Sequence, residues 1–144
     1  MNFFKNSHLF FLLLTSTFLL GCNSEEKKVE VSEKQVAVSF FNAIYNEKNA
    51  KKAITFCTTN FKKEIEKYQS AGNIAHRFFD MRFDSVELHT SALKTQIISE
   101  YKIQVTMMVQ FTGTRNGSTY KDFKKIRLIK ENDEWLVDKL LEIS

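Results

Sequence analysis

Apolar residues recur along this chain with two different periods. Between residues 33 and 48 the period is helical. Ala37, Phe40, Phe41, Ile44 and Tyr45 fall at i, i+3, i+4, i+7 and i+8, one stripe of an amphipathic helix. Ser32 precedes the run and Gln35 stands three residues later, the spacing of a capping box. In that motif each side chain satisfies a backbone N–H that the first helical turn leaves unpaired. Asn46-Glu47-Lys48-Asn49 is a polar break. Ala50, Ala53, Ile54 and Cys57 then mark one side of a short second helix, and Thr58-Thr59-Asn60 offers caps for a third that carries Phe61, Ile65 and Tyr68. Gly72 interrupts, and Ile74, Ala75, Phe78 and Phe79 continue the apolar stripe.

Past residue 85 the period becomes two. Val86 and Leu88 alternate with polar neighbours. The alternation predicts a strand over 97–111, with Tyr101, Ile103, Val105, Met107, Val109 and Phe111 on its buried face. Asn116-Gly117 is the strongest short hairpin signal, because both positions of a tight type I′ turn need positive φ. The return strand, 119–130, switches apolar phase between Phe123 and Ile126, which predicts a β-bulge. Asn132-Asp133 makes another turn, and a last strand carries Trp135, Val137, Leu141 and Ile143. Helices first and an antiparallel meander second is an α+β order, with N-terminal helices packed on a sheet of about four strands.

The first 22 residues obey neither period. Lys5 gives a positive start, and Leu9 to Leu20 is an uncharged run rich in Phe and Leu, the length of a secretory signal core. It is short of the roughly 20 apolar residues that cross a bilayer. The run ends in Leu19-Leu20-Gly21-Cys22, which resembles a bacterial lipobox. The resemblance implies cleavage after Gly21, acylation of Cys22 and attachment to a membrane through that lipid. An ordinary signal peptide with a chance cysteine is the plainer alternative. Asn23 stands where an aspartate favours retention in the inner membrane, so the expected location is the cell envelope, at the outer membrane facing the periplasm in a Gram-negative cell. The expected organisation is a signal over 1–21, an acylated cysteine and flexible tether over 22–32, and one α+β domain over 33–144.

Composition narrows the chemistry. The 144 residues suffice for one domain, and 43% hydrophobic with 26% charged residues excludes a disordered chain. The net charge of +4 is too small an excess to argue for nucleic acid, and loss of Lys5 with the signal leaves +3. Cys57 is then the only cysteine besides Cys22, a thiol open to pairing with a partner or, more commonly, a small buried apolar residue. His8, His76 and His89 do not cluster, so no metal site is expected and no cofactor is implied.

The helix-one stripe (Ala37, Phe40, Phe41, Ile44), the break at 46–49, the Ala53-Ile54-Phe56 patch and the closing Asn132-Asp133-Glu134-Trp135-Leu136-Val137 together resemble the nuclear transport factor 2-like superfamily. The resemblance spans about 110 residues. It implies a curved sheet wrapped around helices as a cone, with a cavity at the open end, and a homodimer formed through the sheet. Enzymes of that superfamily, the ketosteroid isomerases among them, place a tyrosine on helix one and a carboxylate base after helix two. Here Phe40 and Cys57-Thr58-Thr59 stand about where those groups would be, and neither supplies the chemistry.

Weaker candidates remain. His76 and Asp80, four apart on a helix, would share a face as an acid–base dyad or as a solvated surface pair. Tyr45, Tyr101 and Met107 lie on buried stripes and are candidate cavity-lining residues, or plain core. Lys121, Lys124, Lys125, Arg127 and Lys130 make a basic strand, suited to anionic head groups or to a solvated edge or outer face. The leading expectation is a non-enzymatic domain that binds a small apolar ligand or another envelope protein. The alternative is an isomerase, dehydratase or cyclase-type enzyme using the cone cavity, and a third is a subunit of an envelope or secretion assembly. A filled interior and an open one require the same stripes, so the pattern leaves that choice open.

Overall fold

The computed structural model describes residues 30–143. The signal over 1–21 with its cleavage residue Gly21, and Cys22 with the next seven residues of the tether region, lie outside them. Glu30 to Ser32, assigned above to the tether, are part of the folded unit.

Helix α1 is Glu33–Tyr45, and Ser32 and Gln35 close the capping box at its start. Gln35 N–H donates to Ser32 Oγ at 3.3 Å, and Ser32 N–H donates to Gln35 Oε1 at 2.8 Å. Helix α2 is Ala50–Ile54, capped by Asn49, and α3 is Thr59–Glu66, capped by Thr58. A single turn, α4 (Ala71–Asn73), runs into a π-helical turn over Ile74–Phe78, where Phe79 N–H reaches Ile74 O at 3.0 Å. Four antiparallel strands follow in sequence order: β1 (Ser85–Ser99), β2 (Lys102–Arg115), β3 (Ser118–Glu131) and β4 (Glu134–Leu141).

The helices cover one face of this open sheet. Phe40, Phe41, Ile44 and Tyr45 on α1 meet Phe61, Ile65, Phe79, Met107, Val109, Phe111, Ile126 and Leu128, all nearly inaccessible to solvent. Phe41 sits edge-on to Phe40, Phe79 and Phe111 at 4.9, 5.2 and 4.8 Å. Each such pair contributes about 0.5–1.5 kcal/mol beyond its buried area. Across the sheet, Ala92, Met107, Ile126 and Leu140 form one row of that inner face.

Three expectations are corrected. The strand placed over 97–111 is two strands, because the chain reverses at Glu100-Tyr101 with Ser99 paired to Lys102. Neither turn residue takes positive φ, so the turn needs no Gly or Asn and leaves no sequence signal. The bulge expected between Phe123 and Ile126 is absent, since β2 and β3 pair without a shift from Lys102↔Glu131 to Arg115↔Ser118. Phe123 simply faces outward. The shifts lie elsewhere, at Leu93 and Ile98 in β1 and at Asp138 in β4. The basic strand β3 is interior to the sheet, not an edge.

The two sheet edges differ. Along β4, Thr58 N–H donates to Val137 O at 2.9 Å and Val137 N–H to Phe56 O at 2.8 Å, so the α2–α3 link covers that edge. Along β1 the Asn46 amide pairs with the backbone of Val86 at 2.9 and 3.0 Å. From Ser91 to Ser99, β1 buries no residue.

Candidate functional site

Tyr45, Tyr101 and Met107, the residues nominated to line a cavity, line neither of the hollows described below. Tyr45 and Met107 are fully buried in packed surroundings. Tyr45 Oη lies 3.5 Å from Met81 O, and burial, reinforced by the Asp122 carboxylate, pushes its phenol well above the usual range. A neutral, weakly donating phenol fixed to a backbone carbonyl is a core tyrosine. Tyr101 is not on the inner face. It occupies the β1–β2 turn and is 81% exposed, because the period-two pattern runs on in phase through a turn that carries no breaker.

His76 and Asp80 are not brought together as a dyad. Their i, i+4 relation assumes an α-helix, and the segment between them is π-helical. Asp80 lies past its end with φ of 52°, and both side chains are exposed. His76 instead borders an open hollow of about 470 Å³ with Lys48, Arg82, Asp84 and Arg115. His89 faces solvent 3.3 Å from Glu87. Among the described residues no three His, Cys, Asp or Glu side chains group as metal ligands would.

Cys57 is buried, its Sγ 3.6 Å from Ala53 O, and burial pushes the thiol up to about 12. It is an apolar packing residue rather than a nucleophile. Its neighbour Thr58 caps α3 and donates to Asp138 Oδ1 at 3.2 Å, while Arg127 holds the other carboxylate oxygen at 2.5 and 2.7 Å. This chain is fully satisfied and clamps α3 to β3 and β4.

An apolar-walled concavity lies outside the packed interior between helices and sheet. A groove of about 540 Å³ opens between the segment entering α1, the end of α2 and the β3–β4 turn. Its walls are Val31, Val36, Phe56, Trp135 and Leu136. That size and apolar lining suit a small organic ligand or an apolar side chain of a partner. Four charged residues form its rim: Lys130, Glu30, Asp133 and Glu134. Lys130 Nζ bonds to the Glu30 carboxylate and lies 3.9 Å from Asp133. The hydrogen bond from Lys130 lowers the Glu30 pKa below the ordinary carboxylate value, and the same bond raises that of Lys130. Asn132 and Asp133 both take positive φ, 51° and 63°, so the turn that carries the rim is tight.

None of these groove residues stood out as a site in the sequence. Trp135 marked only a strand, and Val31 was assigned to the tether. The available signal is the adjacent pair Trp135-Leu136, since two consecutive apolar residues on a strand point to opposite faces and only one can face the helices. Lys130 belonged to a basic cluster that the structure divides. Lys121, Lys125 and Arg127 lie on the outer face, while Lys124 and Lys130 share the inner-face phase of Ile126 and Leu128. No protein-family model matches the chain, and no curated protein matches it significantly.

Proposed function

We propose that this is a lipid-anchored cell-envelope protein whose domain, built as a nuclear transport factor 2-like cone, binds a small apolar ligand or the apolar segment of an envelope partner without catalysing a reaction. The observation that carries this reading is the groove walled by Val31, Phe56, Trp135 and Leu136, beside an interior packed with aromatic rings. The helix order, the four-stranded meander and its bulges support the cone. The lipobox-like Leu19-Leu20-Gly21-Cys22 supports the anchor. An enzyme would need converging polar groups on an apolar cavity, and the groove's one cation, Lys130, is instead taken up by Glu30 and Asp133 at the rim.

The groove's apolar walls favour an apolar, uncharged ligand, and its rim, one lysine against three carboxylates, disfavours an anion. The neutral fluorophore N-phenyl-1-naphthylamine is therefore a suitable probe. Trp135 is the sole tryptophan and lies in the wall, so it serves as energy donor. Saturable probe emission with transfer from Trp135, abolished by Phe56→Asp in a variant that keeps its far-ultraviolet spectrum, is the expected result. Equal uptake by the Phe56→Asp variant would remove the groove from the account.

A further inference from the structure

The sheet has one end where three features meet. The chain enters the fold there, because Glu30 is bonded to Lys130 near the end of β3. Lys130 pairs across the sheet with Ile103 on β2, which pairs with Ile97 on β1. At about 4.8 Å per strand, the Lys130 backbone, whose side chain holds the entry point, is therefore about 10 Å from that of Ile97. The second feature is the groove, whose rim includes Lys130, Asp133 and Glu134. The third is a bare apolar tip. Leu93, Ile97, Ile98 and Tyr101 are 54, 80, 53 and 81% exposed, half of the large apolar side chains exposed among the described residues.

We propose that the tip of the β1–β2 hairpin, from Leu93 to Tyr101, is a lipid-contact surface that seats the domain end-on against the bilayer. The proposal rests on the anchoring at Cys22 stated above. Seven residues lie between Cys22 and Glu30, which makes eight residue-to-residue steps. Fully extended, they reach about 28 Å. A chain fixed to the membrane at Cys22 thus holds this end of the sheet toward the bilayer and the Asn116-Gly117 end away from it.

The chemistry of the tip selects the lipid region rather than its charge. Lys94 and Lys102 flank the apolar residues, but Lys102 is held by Glu131 at 2.6 Å, and Glu100 sits in the turn itself. With Glu30, Asp133 and Glu134 nearby, this end is not basic, so attraction to anionic head groups does not drive the contact. Insertion of Ile97, Ile98 and Tyr101 into the interface does, with the phenol at head-group level. Four side chains bind weakly alone, but tethering makes the contact intramolecular and raises its effective concentration to the millimolar range or so. The Leu93 and Ile98 bulges distort the β1 edge and disfavour its pairing with a second copy.

The test uses residues 22–144, which contain every described element, carrying Trp135→Phe and Tyr101→Trp. Cys22 is coupled to a maleimide phospholipid in phosphatidylcholine vesicles, and the buried Cys57 stays unlabelled. Because this coupling replaces the native lipid, the result is independent of whether the cell acylates Cys22, which the mass of the natural N-terminal peptide reports separately. The expected result is a blue-shifted emission on tethering and about a twofold quench by brominated acyl chains, both reversed by Ile97→Ser with Ile98→Ser. Unshifted, unquenched emission would overturn the proposal. A blue shift without bromine quenching would overturn it too, and would place a second copy on the β1 edge instead.

Discussion

Cys57 and Gly113 show how single positions constrain this fold. With its thiol pushed up to about 12 and its surface 8% exposed, Cys57 carries a thiolate fraction near one part in ten thousand at pH 8. In a Cys22→Ser chain, iodoacetamide should therefore modify Cys57 only after denaturant is added; rapid modification of the native protein would show that the α2–α3 link opens readily. Gly113 lies on the inner face of β2 against the Phe83 ring, and a Cβ there would overlap that ring. Gly113→Ala should cost about 1–3 kcal/mol in urea unfolding, as overpacking does. Phe83→Ala should remove most of that penalty in a double-mutant cycle. An additive pair would mean the backbone, not the ring, resists the methyl.

At the scale of elements, the segment entering α1 is held to the β3–β4 turn by one exposed ion pair. Bonding to Lys130 lowers the Glu30 pKa, so its contribution is complete above the carboxyl's unfolded value and is lost as pH falls through the lowered one. Bonding to Glu30 raises the Lys130 pKa, so that contribution is present below the amine's unfolded value and lost as pH rises through the raised one. Trp135 emission, reporting on the groove the segment walls, should be flat across neutral pH and change only as pH falls below the ordinary carboxylate value or rises above the ordinary lysine value. A transition near neutrality would point to another group. The elements themselves were unevenly legible. The Ser32–Gln35 box, the Thr58 cap and the Asn116-Gly117 turn use side chains or φ values that only a few residue types supply, and each was readable. The Glu100-Tyr101 turn and the π-helical turn need no special residue, so the alternation runs the first hairpin together as one strand and the four-residue spacing puts His76 and Asp80 on a common face. Trp135 and Leu136 were legible as a strand but not as a wall, because the groove is made by Val31 and Phe56 folding back upon them.

For the whole molecule, the distribution of apolar surface separates two roles. The inner face of the sheet is spent on packing, through rings on α1, α3 and the π-helical turn. Among the described residues, five of the eight exposed large apolar side chains (Val31, Leu93, Ile97, Ile98 and Tyr101) lie at the end where the chain enters, in the groove wall and the hairpin tip, while Tyr120 and Phe123 lie toward the other end. A domain held near a bilayer at Cys22 would thereby present the proposed ligand groove and the proposed lipid-contact tip toward the same side. The central claim is that ligand is held in the groove and not in the cone. Native mass spectrometry of residues 22–144 with Cys22→Ser, loaded with N-phenyl-1-naphthylamine, tests it most directly. A one-to-one adduct that survives Tyr45→Phe in the interior and disappears with Phe56→Asp in the groove is the predicted result. An adduct lost with Tyr45→Phe and retained with Phe56→Asp would contradict the account and return the binding site to the cone.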